Sequence, residues 1–496
     1  MEMQNFAPIM FAGLVAVMII GFPVAFSLAA LGLGCGFFAI QMGWFPAAFM
    51  SNLPISIFSI LSNDLLLAIP FFTFMGTILE KCGLAEDMLD SMGQLFGPVR
   101  GGLGYSVIIV GFILGAITGT VAGQVIAMAL ISLPVMIRYG YNMRYATGVL
   151  AASGTITQLV PPSLVLVVLA DQLGKPVGDM YKGAWGPSLL QIAMFALYTY
   201  GLGLIKPHYI PGVPKEARTL EGWALWSKCL KGIIPSAILI FTVLGSMGGL
   251  PFQSSALATP TEAGAMGVVG ALILAGMHKR LSKELLWEAM HGTMRLTAMV
   301  VFILIGSRVF SQVFQGVDGS KWVEHLLTGL PGGQVGFLIV VNVFVFFLAF
   351  FLDFFEIAFI IVPMLTPVAQ KLGIDLVWFG VLLCVNLQTS FMHPPFGFAL
   401  FYLRGIADSL YKNGSIPTKI ESKDIYMGSI PWVILQLILV VVVIFVPQTV
   451  TVFLDKQEKV DLDKVQLEAP VDDLHEAPKL DDQKMIDDLF KEPAKK

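Results

Sequence analysis

Charge is scarce in this chain. Aspartate, glutamate, lysine and arginine make up 13% of its 496 residues, about half the share of an ordinary soluble domain. Much of that charge lies at one end. Residues 455–496 carry 13 acidic and 8 basic side chains, whereas residues 1–454 carry 21 and 22. So few charges cannot solvate a globule of that size, which argues against a soluble enzyme. The near-neutral body also leaves no electrostatic footprint for nucleic acid. Cysteine is equally sparse. Cys35, Cys82, Cys229 and Cys384 are scattered with no CxxC pair, so neither a zinc site nor a disulfide framework is indicated. No HExxH, GxSxG or paired-aspartate motif occurs, so no enzyme is expected. Lysine is absent from the apolar runs, against a proton-pumping antiporter-like subunit with Lys/Glu relays. Only Glu2 precedes the first apolar run. Without a basic n-region, that run is expected to be a membrane helix and not a cleavable signal.

What the chain has is apolar length. Hydrophobic residues reach 56%, with 50 glycines and 28 prolines, and the mean hydropathy is +0.79. A helix needs about 20 apolar residues to cross the hydrocarbon. Clear runs lie near 7–20, 22–42, 104–117, 184–205, 233–250, 259–277, 296–315, 334–352 and 428–453. The stretches 52–79, 119–137, 145–170, 355–370 and 376–403 are apolar too, but broken by Gly, Pro and polar residues. About twelve crossings or half-crossings are expected of this all-α polytopic membrane domain, residues 1–454. Lys206, Lys215, Arg218, Lys228 and Lys231 crowd one loop, and Lys279, Arg280 and Lys283 another. Two spans separate them, so both loops fit the cytoplasmic side, with the turn near Pro251–Ser255 outside. The stretch 206–232, with Trp223 and Trp226, reads as an amphipathic surface segment or a plain loop. The tail 455–496 reads as polar and flexible, or as a short surface helix.

The chain also repeats itself at an offset of 233 residues. Pro134 falls on Pro367, Gly140 on Gly373, Asn142 on Asp375, and Pro161-Pro162 on Pro394-Pro395. A weaker echo sets Gly76-Thr77 on Gly306-Ser307 at offset 230. Each copy predicts a helical hairpin, Gly115–Gly140 and Phe347–Gly373, followed by a span broken by a polar cluster. Breaks free backbone groups that must find partners in lipid, so broken spans belong inside protein or along a cavity. Paired breaks in two halves point to a transporter's site near the midplane.

The clusters are Thr118-Gly119-Thr120-x-x-Gly123-Gln124 and Ser153-Gly154-Thr155-x-Thr157-Gln158 in the first copy. In the second they are Asp353-x-x-Glu356 and Asn386-x-Gln388-Thr389-Ser390, with His393 beside Pro-Pro. Hydroxyls, amides and freed carbonyls suit sodium, and half-helix N-termini suit a carboxylate. The plainer reading is hydrogen bonding between packed membrane helices. Asp353 and Glu356, at i and i+3 on one helix face, read as a cation or proton site, a lock for the hairpin, or a hydrated helix end. His393 reads as a hydrogen-bonded core histidine before a metal ligand, and Asp64 as a helix cap.

These residues resemble a known family, the large membrane subunit of TRAP (tripartite ATP-independent periplasmic) transporters, the DctM-like group. The stretches that carry the resemblance are LLLAIPFFTFMGTILEKCG at 65–83, GAITGTVAGQVIAM at 115–128, AASGTITQLVPPS at 151–163, ATPTEAGAMGVVGAL at 258–272, FLDFFEIAFIIVPMLTPVAQKLGIDLVWFGV at 351–381 and NLQTSFMHPPFGFALFYLRG at 386–405. The wording LDFFEIAF and LGIDLVWFGV is similar to the mannitol, chloroaromatic and 2-oxoacid branch. The resemblance implies an elevator-type, sodium-coupled importer of an organic acid in the bacterial inner membrane. Two hairpins and two broken helices, in an inverted repeat of about 65–205 and about 296–425, would form its transport domain. The remaining spans would be its scaffold. A small four-helix (DctQ-like) subunit and a soluble periplasmic binding protein (DctP-like) would be its partners. Hairpin tips would fall at Thr118–Gly123 and Asp353–Glu356, and sodium at Ser153, Thr155, Asn386 and Thr389. Family members often carry Thr where this chain has His393, and the tail lies outside the family core. The competing reading is a sodium- or proton-coupled anion carrier that works without a binding protein.

Overall fold

The computed structural model describes residues 3–214, 222–253, 255–395 and 397–454. The polar tail and the basic residues Lys215 and Arg218 lie outside the described residues. No strand occurs among the described residues. Among the described residues eight helices are long and apolar enough to cross a membrane, or ten when the bent pairs Ala47–Leu61 with Asp64–Lys81 and Gly319–Thr328 with Gly333–Leu348 are each taken as one span. Four shorter apolar helices accompany them. Trp223 and Trp226, read as part of a surface segment or loop, instead open the span Gly222–Ser246. Asp64 is the first residue of its helix, and the cap is its neighbour: the Asn63 side chain accepts from Leu65 N at 3.0 Å.

Both hairpins begin earlier than their polar tips suggest. The first joins Gly102–Thr118 to Val121–Arg138. The second runs from Gly333–Leu348 through a turn to Phe354–Glu356, a π-helical turn at Ile357–Ile361, and Val362–Lys371. Each ends in a left-handed turn, Gly140 at φ 77° and Gly373 at φ 69°, where a Cβ would be strained. A side-chain cap follows. Asn142 accepts from Arg144 N at 3.0 Å, and Asp375 from Trp378 N at 2.8 Å.

These caps start the two broken helices. Met143–Thr155 passes into a 3-10 turn, Ile156–Gln158, before Leu164–Leu173 resumes. Leu376–Leu387 passes into Gln388–Met392 before Phe398–Lys412. Met143 and Leu376 stand 233 residues apart, the offset of the sequence repeat. The Pro161–Pro162 and Pro394–Pro395 bonds are both cis. Long helices follow in each half, Val177–Ile205 and Ser422–Phe445.

Small residues let backbones approach where hydrophobicity cannot drive association. Val24–Gln41 packs on Lys283–Gly316, with Gly32 against the Phe310 backbone and Gly306 against the Ala25 carbonyl. Asp64–Lys81 packs on Pro260–Met277, with Gly264 against Phe71 and Gly267 against Met75. A close crossing joins the halves: Gly148 of the first broken helix meets Gly428 of Ser422–Phe445. A Cβ on Gly148 would lie 2.2 Å from the Gly428 carbonyl oxygen. Such overpacking costs about 1–3 kcal/mol or more. Gly148→Ala is therefore expected to cut the monodisperse yield on size-exclusion chromatography sharply. Gly201→Ala, with nothing within 4 Å, is expected to leave it unchanged.

Two expectations are corrected here. The run 428–453 was left among the scaffold spans outside the repeat, yet Ser422–Phe445 packs directly on the first broken helix. Lysine is also not absent from the interior. Lys182, near the start of Val177–Ile205, has a side chain only 4% exposed, 4.0 Å from Asp179. Its place in the first turns, before the apolar stretch begins, hid it in the sequence.

Candidate ion and substrate site

The first cluster is organised by Gln124, on the second arm of hairpin one. Its Nε2 donates to the Gly111 carbonyl at 2.6 Å and to the Ser153 carbonyl at 2.9 Å, and its Oε1 accepts from the Thr157 hydroxyl. One side chain thus ties both arms of the hairpin to the broken helix. The same Thr157 hydroxyl lies 2.6 Å from the Gly154 carbonyl, which shares its one proton with Gln124, and Thr155 donates to the Ala152 carbonyl at 2.9 Å. The buried Ser153 Oγ and Gln158 Oε1 have no partner among the described residues. At the tip, Gly119 turns with φ 63° and lies near Leu164. Thr120 occupies the N-cap position without a side-chain cap bond. Gly123 lies under the Glu80 carboxylate, which a Cβ would meet at 2.0 Å. The Thr118 side chain lies outside the described residues.

The second cluster has the same plan with different residues. Asn386 Nδ2 donates to the Asn342 carbonyl on the first arm of hairpin two at 2.8 Å, and Asn342 donates to the Leu338 carbonyl at 2.8 Å. Thr389 and Ser390 donate to the Asn386 and Leu387 carbonyls, each at 2.7 Å. The oxygens Asn386 Oδ1 and Asn342 Oδ1 are buried without a partner among the described residues.

Asp353 and Glu356 do not share a helix face. Asp353 is the N-cap of the hairpin's second arm, and its side chain accepts from Phe354 N at 2.7 Å. Glu356, at the third position, reaches back to accept from Asp353 N at 3.0 Å. This reciprocal capping box satisfies orphan amides of the helix start. Both carboxylates, with Ser390, line a cavity of about 330 Å³ closed by Met18, Phe350 and Phe401 among others. His393 is fully buried, but it is not hydrogen-bonded as expected. Neither ring nitrogen has a partner among the described residues. The imidazole instead stacks on Phe350 at 4.2 Å and meets Phe346 edge-on at 4.3 Å between centroids. Aromatic neighbours offered it surface but no acceptor.

Four contacts bring the halves together. Cys384 Sγ donates to the Gln158 carbonyl at 3.2 Å, and Thr155 Oγ1 lies 3.6 Å from Met392 Sδ. Gln191 Nε2, from Val177–Ile205, donates to Gln388 Oε1 at 2.8 Å. Gln436 Nε2, from Ser422–Phe445, donates to Thr155 Oγ1 at 3.0 Å. Sequence reasoning missed Gln191, Asn342 and Gln436. The available signal was a lone amide within an otherwise apolar span. Among the described residues no group of three or more His, Cys, Asp or Glu could hold a metal ion. Any cation here would be held by hydroxyl, amide and carbonyl oxygens.

Residues 11–449 match the family model for the tripartite ATP-independent periplasmic transporter, DctM component. The chain belongs to the DctM family. This DctM subunit is a multi-pass protein of the bacterial inner membrane and a transport permease component, not an enzyme. It is 26% identical over 461 residues to the C4-dicarboxylate TRAP transporter large permease protein of Vibrio cholerae, covering 88% of this chain and 95% of that one. It is 25% identical to the 2,3-diketo-L-gulonate TRAP transporter large permease protein of Escherichia coli, covering 87% and 95%. It is also 25% identical to the isethionate TRAP transporter permease protein DctMQ of Oleidesulfovibrio alaskensis, covering 81% of this chain and 61% of that protein. The crystal structure of the Alcanivorax borkumensis YdaH transporter shares the fold, with a TM-score of 0.55, 14% identity, and coverage of 87% and 98%. Large permease subunits of the DctM family work with small membrane and periplasmic binding partners.

Proposed function

We propose that this DctM subunit imports a small organic acid, delivered by a soluble periplasmic protein, in symport with sodium. The observation that carries the reading is the pair of unwound turns, Ile156–Gln158 and Gln388–Met392, each touching the other half's broken helix, Gln158 at Cys384 and Met392 at Thr155, and flanked by buried oxygens without a partner among the described residues on Ser153, Gln158 and Asn386. Oxygens of this kind, where a helix is broken, suit sodium. Capped half-helix starts suit a carboxylate. The named relatives carry C4-dicarboxylates, a diketo sugar acid and isethionate. All are small organic anions, in keeping with a carboxylate or related anion as the cargo. The two hairpins and broken helices, in repeats of about 65–205 and about 296–425, would move as a transport domain against a scaffold of the other spans, in an elevator.

Thr155→Ala and Asn386→Ala test the site. Each removes a polar group and strands buried partners, costing about 1–3 kcal/mol. That weakens sodium about 10- to 100-fold. The measurement is uptake of a labelled organic acid by vesicles holding the subunit and its partners, titrated with sodium. An unchanged sodium requirement in both variants at wild-type expression would reject the site. Uptake of no carboxylate at all would reject the function.

A further inference from the structure

The two long helices that follow the broken helices each bury one glutamine in an apolar span. Gln191 and Gln436 are 1% and 0% exposed. Neither serves its own half. Gln191, in the first half, donates to Gln388 in the second, and Gln436, in the second half, donates to Thr155 in the first. The two acceptors are matched, since Thr155 and Gln388 stand 233 residues apart, the offset of the repeat. We propose that Gln191 and Gln436 are positioning residues that form a crossed clasp, each fixing the polar side chain at the other half's helix break for ion binding.

The clasp acts through orientation. A threonine hydroxyl has one proton and two acceptor sites. The Thr155 proton goes to the Ala152 carbonyl at 2.9 Å, and Gln436 takes one acceptor site. A single acceptor site then remains for a cation, in a direction set by the other half. At Gln388 the bond from Gln191 fixes the amide plane, and Gln388 Nε2 is left without a partner among the described residues. The Oε1 atoms of Gln191 and Gln436 are likewise unpartnered and buried. Unpaired polar atoms at such depth are costly. Because the bonds cross, an ion bound in one half is sensed by the helix of the other. The two sites are thereby coupled without a shared ligand.

The inference rests on the sodium reading above, and the experiment separates the two. The full chain, purified in detergent, is unfolded thermally while sodium chloride replaces choline chloride at constant ionic strength. A bound ion stabilises the folded state by RT ln(1 + c/Kd), where c is the sodium concentration, so a fit of the rise gives Kd, the sodium concentration of half occupancy, as the half-stabilising concentration. Gln191→Met and Gln436→Met conserve volume. Each is expected to raise the half-stabilising sodium concentration about tenfold, equivalent to roughly 1.4 kcal/mol. A merely structural glutamine would lower the melting temperature without moving that concentration. Thr155→Val and Gln388→Met break the same bonds from the opposite side and carry the same expectation should a glutamine variant fail to purify. Gln436→Met with Thr155→Val is expected to add little beyond one of them, whereas Gln436→Met with Gln388→Met, from separate contacts, is expected to approach a hundredfold shift, about the product of the singles. If the wild type responds to sodium and neither glutamine variant moves the half-point, the clasp is rejected alone. If the wild type shows no response to sodium, the sodium reading falls and the clasp falls with it.

Discussion

Uptake is expected to collapse to background when external sodium is replaced by potassium. The test is vesicles holding the DctM subunit with its partners and a saturating binding protein. Potassium carries the same charge, so ionic strength is matched, and with the membrane potential clamped only the fit to a fixed set of oxygens changes. Hydroxyls held at the helix breaks, such as Thr155 and Thr389, are locked to nearby carbonyls at 2.7–2.9 Å and cannot spread for a larger ion without losing those bonds. Full activity in potassium with an imposed proton gradient would sink the sodium reading. It would promote Asp353 and Glu356, the two carboxylates on the 330 Å³ cavity, to proton carriers whose capping bonds open on protonation.

The subunit alone is expected to move no substrate. Helices Phe6–Ile20 and Val24–Gln41 supply an aromatic and aliphatic outer face, with Ile20 69%, Phe26 65% and Phe37 64% exposed. Among the polar clusters they contribute only Met18 and Ile19, at the edge of one cavity. A face without transport work, on the helix that packs along Lys283–Gly316, is where a small membrane subunit would brace the scaffold. Uptake by proteoliposomes is measured with this chain alone, with the small subunit, and with both partners. Transport at full rate by the lone chain would reject the tripartite assembly and favour a self-sufficient anion carrier.

The hairpins and broken helices were legible because their signals are punctuation. Glycine and side-chain caps act over a few residues, and Gly140 and Asn142 mark the same turn in sequence and in space, whereas Pro134 lies inside Val121–Arg138. The polar clusters were legible for the same reason. What the sequence concealed was decided by distant partners. Gln191 and Gln436 each stand alone in an apolar run, and only the crossing of the halves shows which break they serve. Asp353-x-x-Glu356 carried the wording of a capping box. Its setting in an unbroken apolar stretch read as mid-helix, because the turn at residues 349–352 is built from apolar residues. His393 could not be read at all, since its surroundings come from Phe346 and Phe350 on another element.

The Gly148–Gly428 crossing has a consequence for biogenesis. Close partners of the first broken helix are supplied by Ser422–Phe445, a span translated long after it. Trp432 from that span sits among Tyr145, Phe195 and Tyr198 of the first half. Until some 270 further residues have been synthesised after Thr155, the groove that receives Trp432 stands open beside the insertion machinery, with the Thr155 hydroxyl unclasped. The first half is therefore held as an unfinished intermediate for most of translation. Quality control that senses polar groups facing lipid would see it as defective until Ser422–Phe445 closes over it.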